Sequence, residues 1–121
     1  MNKIVSFELA RVLKRKGFES DCEDWAYLSD DCMSMTYDPK TCVKMPTIAE
    51  VVMWLYERHN YWITVDVDAL DNWVYEITNT AHMRNSYVPT PTLDSKTPDG
   101  AYVAAIYYCL TKLIKYEQTN I

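Results

Sequence analysis

Only two glycines, Gly17 and Gly100, occur in the 121 residues. A loop that cradles phosphate with its backbone N–H groups needs several glycines close together, so GxGxxG and P-loop chemistry are excluded. Histidine is limited to His59 and His82, and neither has a serine or cysteine nearby in a nucleophile-elbow context. Cys22, Cys32, Cys42 and Cys109 contain no CxxC pair, and the ten-residue spacing of the first three is not a zinc-ligand spacing. No apolar run approaches the length of a bilayer span, and Met1 to Gly17 lacks the apolar centre of a signal peptide. These absences predict a cytoplasmic protein with no membrane attachment, four reduced thiols, no structural metal and no cofactor.

Positive charge is also in deficit. Twelve Lys and Arg against seventeen Asp and Glu give a formal net charge of −5 and a pI near 4.9, which argues against non-specific nucleic-acid binding. The one basic cluster, Arg11, Lys14, Arg15 and Lys16, reads as the solvated C-terminal end of a short helix, where cations favour the dipole.

The chain is rich in amphipathic aromatics, with ten Tyr and four Trp against two Phe. Such side chains combine an apolar body with a polar handle and suit half-wet positions, interfaces and pocket rims. They also serve to finish the thin core of a small domain, which is the plainer explanation. Many of them lie in the best-defined stretch, Pro46 to Ile77. Thr47 and Glu50 form a T-x-x-E capping box after Pro46. Ile48, Val51, Val52, Leu55 and Tyr56 then recur at helical spacing, widened by Met53 and Trp54. Arg58 and His59 suit the negative end of that helix, and Asn60 stops it.

Two alternating runs follow. Tyr61, Ile63, Val65 and Val67 alternate with Trp62, Thr64 and Asp66, and Trp73, Tyr75 and Ile77 alternate with Val74, Glu76 and Thr78. Asp68, Asp71 and Asn72 supply turn chemistry between them, so the pair reads as an antiparallel hairpin. Before the central helix, Ser6 can cap a helix that Gly17 ends. Trp25 to Leu28 and Cys32 to Tyr37 read as two strands of a second hairpin. After the hairpin, residues 79–96 are rich in Asn, Thr, Ser and Pro and read as a long surface loop in which Pro89 and Pro91 exclude a central strand. Thr97-Pro98-Asp99 opens a last, strongly apolar helix, and residues 117–121 are expected to fray.

The pattern predicts a single α+β domain over 1–121, with helices at about 6–16, 47–59 and 98–116. They pack on a small antiparallel sheet of two hairpins, because the turns are too short for parallel crossovers. At this length the chain buries enough surface for a core without disulfides or metal.

The segments SFELARVLKRKGF, PTIAEVVMWLYERH, YWITV and TPDGAYVAAIYYCLTKLI resemble a family of small uncharacterised proteins common in Bacteroides-type genomes, phages and mobile elements. The family's tail reads TPTEAYEAAIEYCLTKLI, and this chain departs from it at Asp99, Gly100, Val103 and Tyr107. The matching residues occupy capping, core and turn positions. The resemblance therefore implies fold and a phage or mobile-element origin, and no activity.

The only carboxylate cluster beside a well-defined element is Asp66-Val67-Asp68-Ala69-Leu70-Asp71. It lacks the glycine and terminal glutamate of a calcium loop, and turn-forming aspartates in solvent explain it better. A metal-dependent enzyme is accordingly the minority reading. Two binding readings remain. One is an interaction module that contacts a protein partner, or a second copy as a homodimer, through exposed aromatics. The other is a small-molecule binder, for a nucleotide or metabolite, whose aromatics line a pocket. The first needs a flat apolar patch and the second a concave one. The residues nominated for either are Trp54, Tyr61, Trp62, Trp73 and Tyr75. Trp62 is out of register with the inward set Tyr61, Ile63 and Val65 and is expected to face away from the core.

Overall fold

The computed structural model describes residues 3–28, 37–81, 86–91 and 95–115. Its elements are α1 (Phe7–Arg15), β1 (Trp25–Tyr27), β2 (Cys42–Lys44), α2 (Ile48–His59), β3 (Tyr61–Val67), β4 (Trp73–Asn79), β5 (Ser86–Val88) and α3 (Pro98–Tyr108). A short π-helical turn (Cys109–Leu113) continues α3. The fold is α+β, as the pattern predicts. The strands form two antiparallel sheets, β1–β2 and β3–β4–β5.

Each helix begins and ends on chemistry that the sequence carries. Ser6 accepts a hydrogen bond from the Leu9 N–H at 3.1 Å and opens α1. At the other end Gly17 takes a left-handed conformation (φ 87°), while the Phe18 and Gly17 N–H groups reach back to the Leu13 and Lys14 carbonyls. That double return is a Schellman cap, and it turns Phe18 back towards the core. At α2 the capping box is closed in both directions. The Glu50 N–H donates to Thr47 Oγ1 at 3.2 Å and the Thr47 N–H to Glu50 Oε1 at 2.9 Å. Asn60, at φ 62°, ends the helix, and its carbonyl then accepts from the Thr80 N–H at 2.7 Å. This last bond ties the start of β3 to the residue after β4.

The hairpin β3–β4 pairs Tyr61 with Asn79 through to Val67 with Trp73. Its turn is organised by one aspartate. Asp68 Oδ1 accepts from the N–H groups of Leu70 at 2.8 Å and Asn72 at 3.0 Å, and Asp71 supplies the positive φ of 61°. Helix α3 packs against β3 and β4, α2 packs against β3 and α3, and α1 packs against β2. Leu9, Leu13, Val43, Val51, Leu55, Ile63, Ile77, Ile106 and Leu110 are fully buried in one continuous core.

Three features differ from the sequence pattern. Trp25–Tyr27 pairs with Cys42–Lys44, Trp25 facing Lys44. The run Cys32 to Tyr37, expected as the return strand, lies outside the described residues up to position 36, and Tyr37 packs edge-on against Trp25 instead of extending a strand. Within 79–96, expected as loop, Ser86–Val88 adds an edge strand to β4, and Trp73 and Ser95 exchange two backbone hydrogen bonds. Pro89 follows β5 and caps its length, which is the constraint that proline places on an edge. The last helix is α-helical only to Tyr108. Beyond it Thr111 Oγ1 donates to the Tyr107 carbonyl at 2.7 Å and the Ile114 N–H reaches the Cys109 carbonyl five residues back. A threonine hydroxyl on the preceding turn's carbonyl favours this local widening. The expected frayed tail falls outside the described residues.

Candidate functional site: an aromatic row across the outer sheet face

Period-2 geometry assigns each hairpin residue to one of two faces. Tyr61, Ile63, Val65 and Val67 share the inner face with Ile77, Tyr75 and Trp73. On the outer face Trp62 lies opposite Thr78, Thr64 opposite Glu76 and Asp66 opposite Val74. Strand β5 extends one of these rows, because Thr78 also pairs with Tyr87. Trp62, Thr78 and Tyr87 thus stand side by side across three strands, with about 10 Å between the outer two backbones.

The row is open to solvent. Trp62 is 37% and Tyr87 75% exposed. Helix α2 lengthens it, since the Tyr56 ring meets the Trp62 ring edge-to-face with centroids 5.3 Å apart. Met53, one turn earlier on α2, is exposed as well. Further along the same sheet face stand the exposed carboxylates of Asp66 and Glu76. The outer face is therefore apolar and aromatic at the α2 end and acidic towards the hairpin turn.

The five nominated aromatics do not gather in one place. Trp62 is outward, as its register requires. Trp54 is buried at 3% exposure, with Phe18 edge-on at 5.3 Å and His59 at 4.8 Å, so it belongs to the core and presents no contact surface. Tyr75 is likewise in the core at 7% exposure. Tyr61 and Trp73 are half-buried at the two ends of the inner face. Tyr87 is absent from the five, because the proline-rich segment around it hides a three-residue strand. The one sequence signal for it is the short Ser-Tyr-Val run before Pro89.

The ionisable groups near these rings are perturbed mainly by burial. Burial raises the pKa of the Tyr75 hydroxyl, the neighbouring Tyr108 and Cys109 push the same way, and Thr90 opposes them. Thr90 completes no hydrogen bond with it, and the hydroxyl is left without a partner. The Cys109 thiol is pushed up to about 12 by burial, so it is inert as a nucleophile. Burial lowers the pKa of His59, and Arg58 lowers it further. Its position at a helix C-terminus favours the cation, but burial and the Arg58 charge outweigh that.

Cys22, Cys42 and Cys109 carry free thiols, and Cys32 lies outside the described residues. Among the described residues no three His, Cys, Asp or Glu side chains converge as metal ligands. The acidic turn has a structural use instead, since Asp68 bonds two backbone N–H groups. Among the described residues no helix is long and apolar enough to cross a membrane. No protein-family model, curated protein or solved structure matches the chain.

Proposed function

We propose that this chain is a non-enzymatic interaction module whose contact surface is the outer face of β3–β4–β5. The observation that carries the reading is the row Trp62–Thr78–Tyr87 with Tyr56 packed against its end. Large aromatics lose little conformational entropy on binding and dominate the energetics of contact surfaces. Their layout across a sheet face fits a patch, whereas a ligand pocket would need them to converge. The carboxylates of Asp66 and Glu76 on the same face suit a protein partner that presents apolar side chains beside Lys or Arg.

Random-peptide display on the immobilised chain tests this. The parent should enrich peptides that combine aromatic or aliphatic residues with Lys or Arg. The double variant Trp62→Ser/Tyr87→Ser should lose them while keeping its melting temperature. Peptides that bind the double variant as well as the parent would overturn the reading. Light scattering over a concentration series adds a second outcome: a parent dimer that the double variant abolishes makes a second copy of the chain the occupant.

A further inference from the structure

Strand β3 is an edge of its sheet, since the strand order is β3–β4–β5. The bonds that flank the β3–β4 ladder show which way its backbone groups point. The Asp68 N–H donates to the Asn72 carbonyl at one end, and the Thr80 N–H to the Asn60 carbonyl at the other. Bonded pairs alternate along an antiparallel ladder, so Trp62, Thr64 and Asp66 exchange bonds with β4. Tyr61, Ile63, Val65 and Val67 therefore turn their N–H and C=O groups away from β4. Among the described residues none of those groups has a hydrogen-bond partner.

Natural sheets blunt an edge with lysine, proline or a bulge. The run Tyr61–Val67 has no lysine and no proline, and it pairs with β4 without a bulge. Its one charged residue, Asp66, stands on the outer face. Cover thins along the inner row in one direction, from Ile63 at 1% exposure through half-buried Val65 to Val67 at 50%. At the opposite end of the strand the Tyr56 ring of α2 sits against Trp62. The open part of the edge is thus Ile63 to Val67, an apolar strand whose inner row emerges from the core.

We propose that β3 pairs antiparallel with β3 of a second copy, about a two-fold axis at Val65. In that register Val65 faces Val65, Ile63 faces Val67, and Thr64 faces Asp66 of the other copy. Each facing pair among Ile63, Val65 and Val67 exchanges two N–H···O bonds, which satisfies every edge group along that stretch. Each Val67 comes to lie beside the other copy's Ile63, and so beside its core. Each Asp66 carboxylate meets a Thr64 hydroxyl that can donate to it, instead of the other Asp66. The strand is complementary to itself in shape, charge and hydrogen bonding, which selects a second copy over an unrelated peptide. One two-fold contact covers both edges and joins two three-stranded sheets into one. The inference does not depend on the outer-face reading, because Tyr87 lies on β5 at the far edge of the sheet.

Sedimentation equilibrium over a concentration series, with amide hydrogen exchange at both ends of the series, is the test. The parent should be a concentration-dependent dimer. The amides of Ile63, Val65 and Val67 should exchange fast in the dilute monomer and gain at least tenfold protection in the dimer. Those of Thr64 and Asp66 should be protected throughout. Val67→Lys, at an exposed position, should weaken the dimer at least tenfold. Thr64→Asp should do the same by setting carboxylates opposite each other, whereas Thr64→Lys faces Asp66 and should keep the dimer. Tyr87→Ser should leave it unchanged. If Thr64→Asp melts early because Glu76 faces it on β4, Val67→Lys and Thr64→Lys decide alone. A parent that stays monomeric, or a dimer that Val67→Lys leaves intact, overturns the inference. A dimer that Tyr87→Ser abolishes overturns it in favour of the outer face. A monomer in which the amides of Ile63, Val65 and Val67 are already protected means that the chain covers its own edge, and overturns it too.

Discussion

On the inner face of the hairpin Ile63 and Ile77 stand opposite each other and are fully buried. One residue earlier on β3 and one later on β4, Trp62 and Thr78 stand opposite each other and face outwards. The inner pair lies under α2 and α3 and removes aliphatic surface from water. The outer pair is less covered, since Trp62 is 37% exposed and meets the Tyr56 ring edge-on. A half-covered ring in that position removes less of its surface from water than the buried pair beside it. The same sheet therefore sets a fully buried pair and a solvent-facing pair one residue of register apart.

The sharpest way to break this comparison is to truncate one tryptophan from each environment. Trp54→Ala removes a buried ring that Phe18 and His59 contact edge-on and should cost about 3–5 kcal/mol. Trp62→Ala should cost clearly less, because 37% of that ring already lies in water. Denaturant unfolding of both variants decides it, and equal losses would make the outer face part of the core. On the inner face alone, Leu55→Ala, Ile63→Ala and Leu110→Ala should each cost about 2–5 kcal/mol, because all three are fully buried. Variants that melt like the parent would mean that α2, β3 and α3 do not meet where the structure has them.

The hairpin was readable to the residue because its fourteen positions follow a period of two, departing from it only at Trp62, Val74 and Asn79, and each strand ends on turn or helix-stop chemistry. The helix starts were readable for a similar reason, since Ser6, Thr47 and Thr97 each accept the hydrogen bond that a cap predicts. Three-residue strands leave no such trace. Cys42-Val43-Lys44 shows no alternation long enough to detect, and Ser86-Tyr87-Val88 sits among residues typical of loops. The site suffered from the same cause. Periodicity placed Trp62 outside, but Tyr87 joins it only through the β4–β5 pairing, which is a non-local fact. For Trp54 the sequence shows its bulk and not the rings that cover it.

A smaller effect sharpens the inner face further. The Tyr75 hydroxyl is buried without a hydrogen-bond partner, and an orphaned polar group of this kind costs about 1–3 kcal/mol. Tyr75→Phe keeps the ring and removes the hydroxyl, so it should stabilise the protein by up to about 1 kcal/mol. A loss of stability on the same substitution would mean that Thr90 or a buried water serves the hydroxyl in solution.

The smallest expected effect lies at the border between the two environments. His59 rests edge-on against buried Trp54 at the end of α2, one residue before the helix hands over to β3. Burial is the larger reason for its lowered pKa and the Arg58 charge the smaller, so both disfavour the imidazolium in the folded state. As pH falls below the ordinary value of about 6.5, the unfolded chain takes up this proton before the folded one does. Stability contributed by the neutral ring is therefore complete above about 6.5 and is lost progressively down to the folded pKa, below which the loss levels off. Carboxylates begin to titrate just below this window, so the signal is read as a difference. The parent should lose stability relative to His59→Gln as pH falls through 6.5, by a modest amount because the ring is only half-buried. A His59 titration by NMR should show a midpoint below 6.5 in the folded protein. A midpoint at or above that value would mean that the ring is solvated, and that the contact with Trp54 does not set the border between the core and the exposed end of α2.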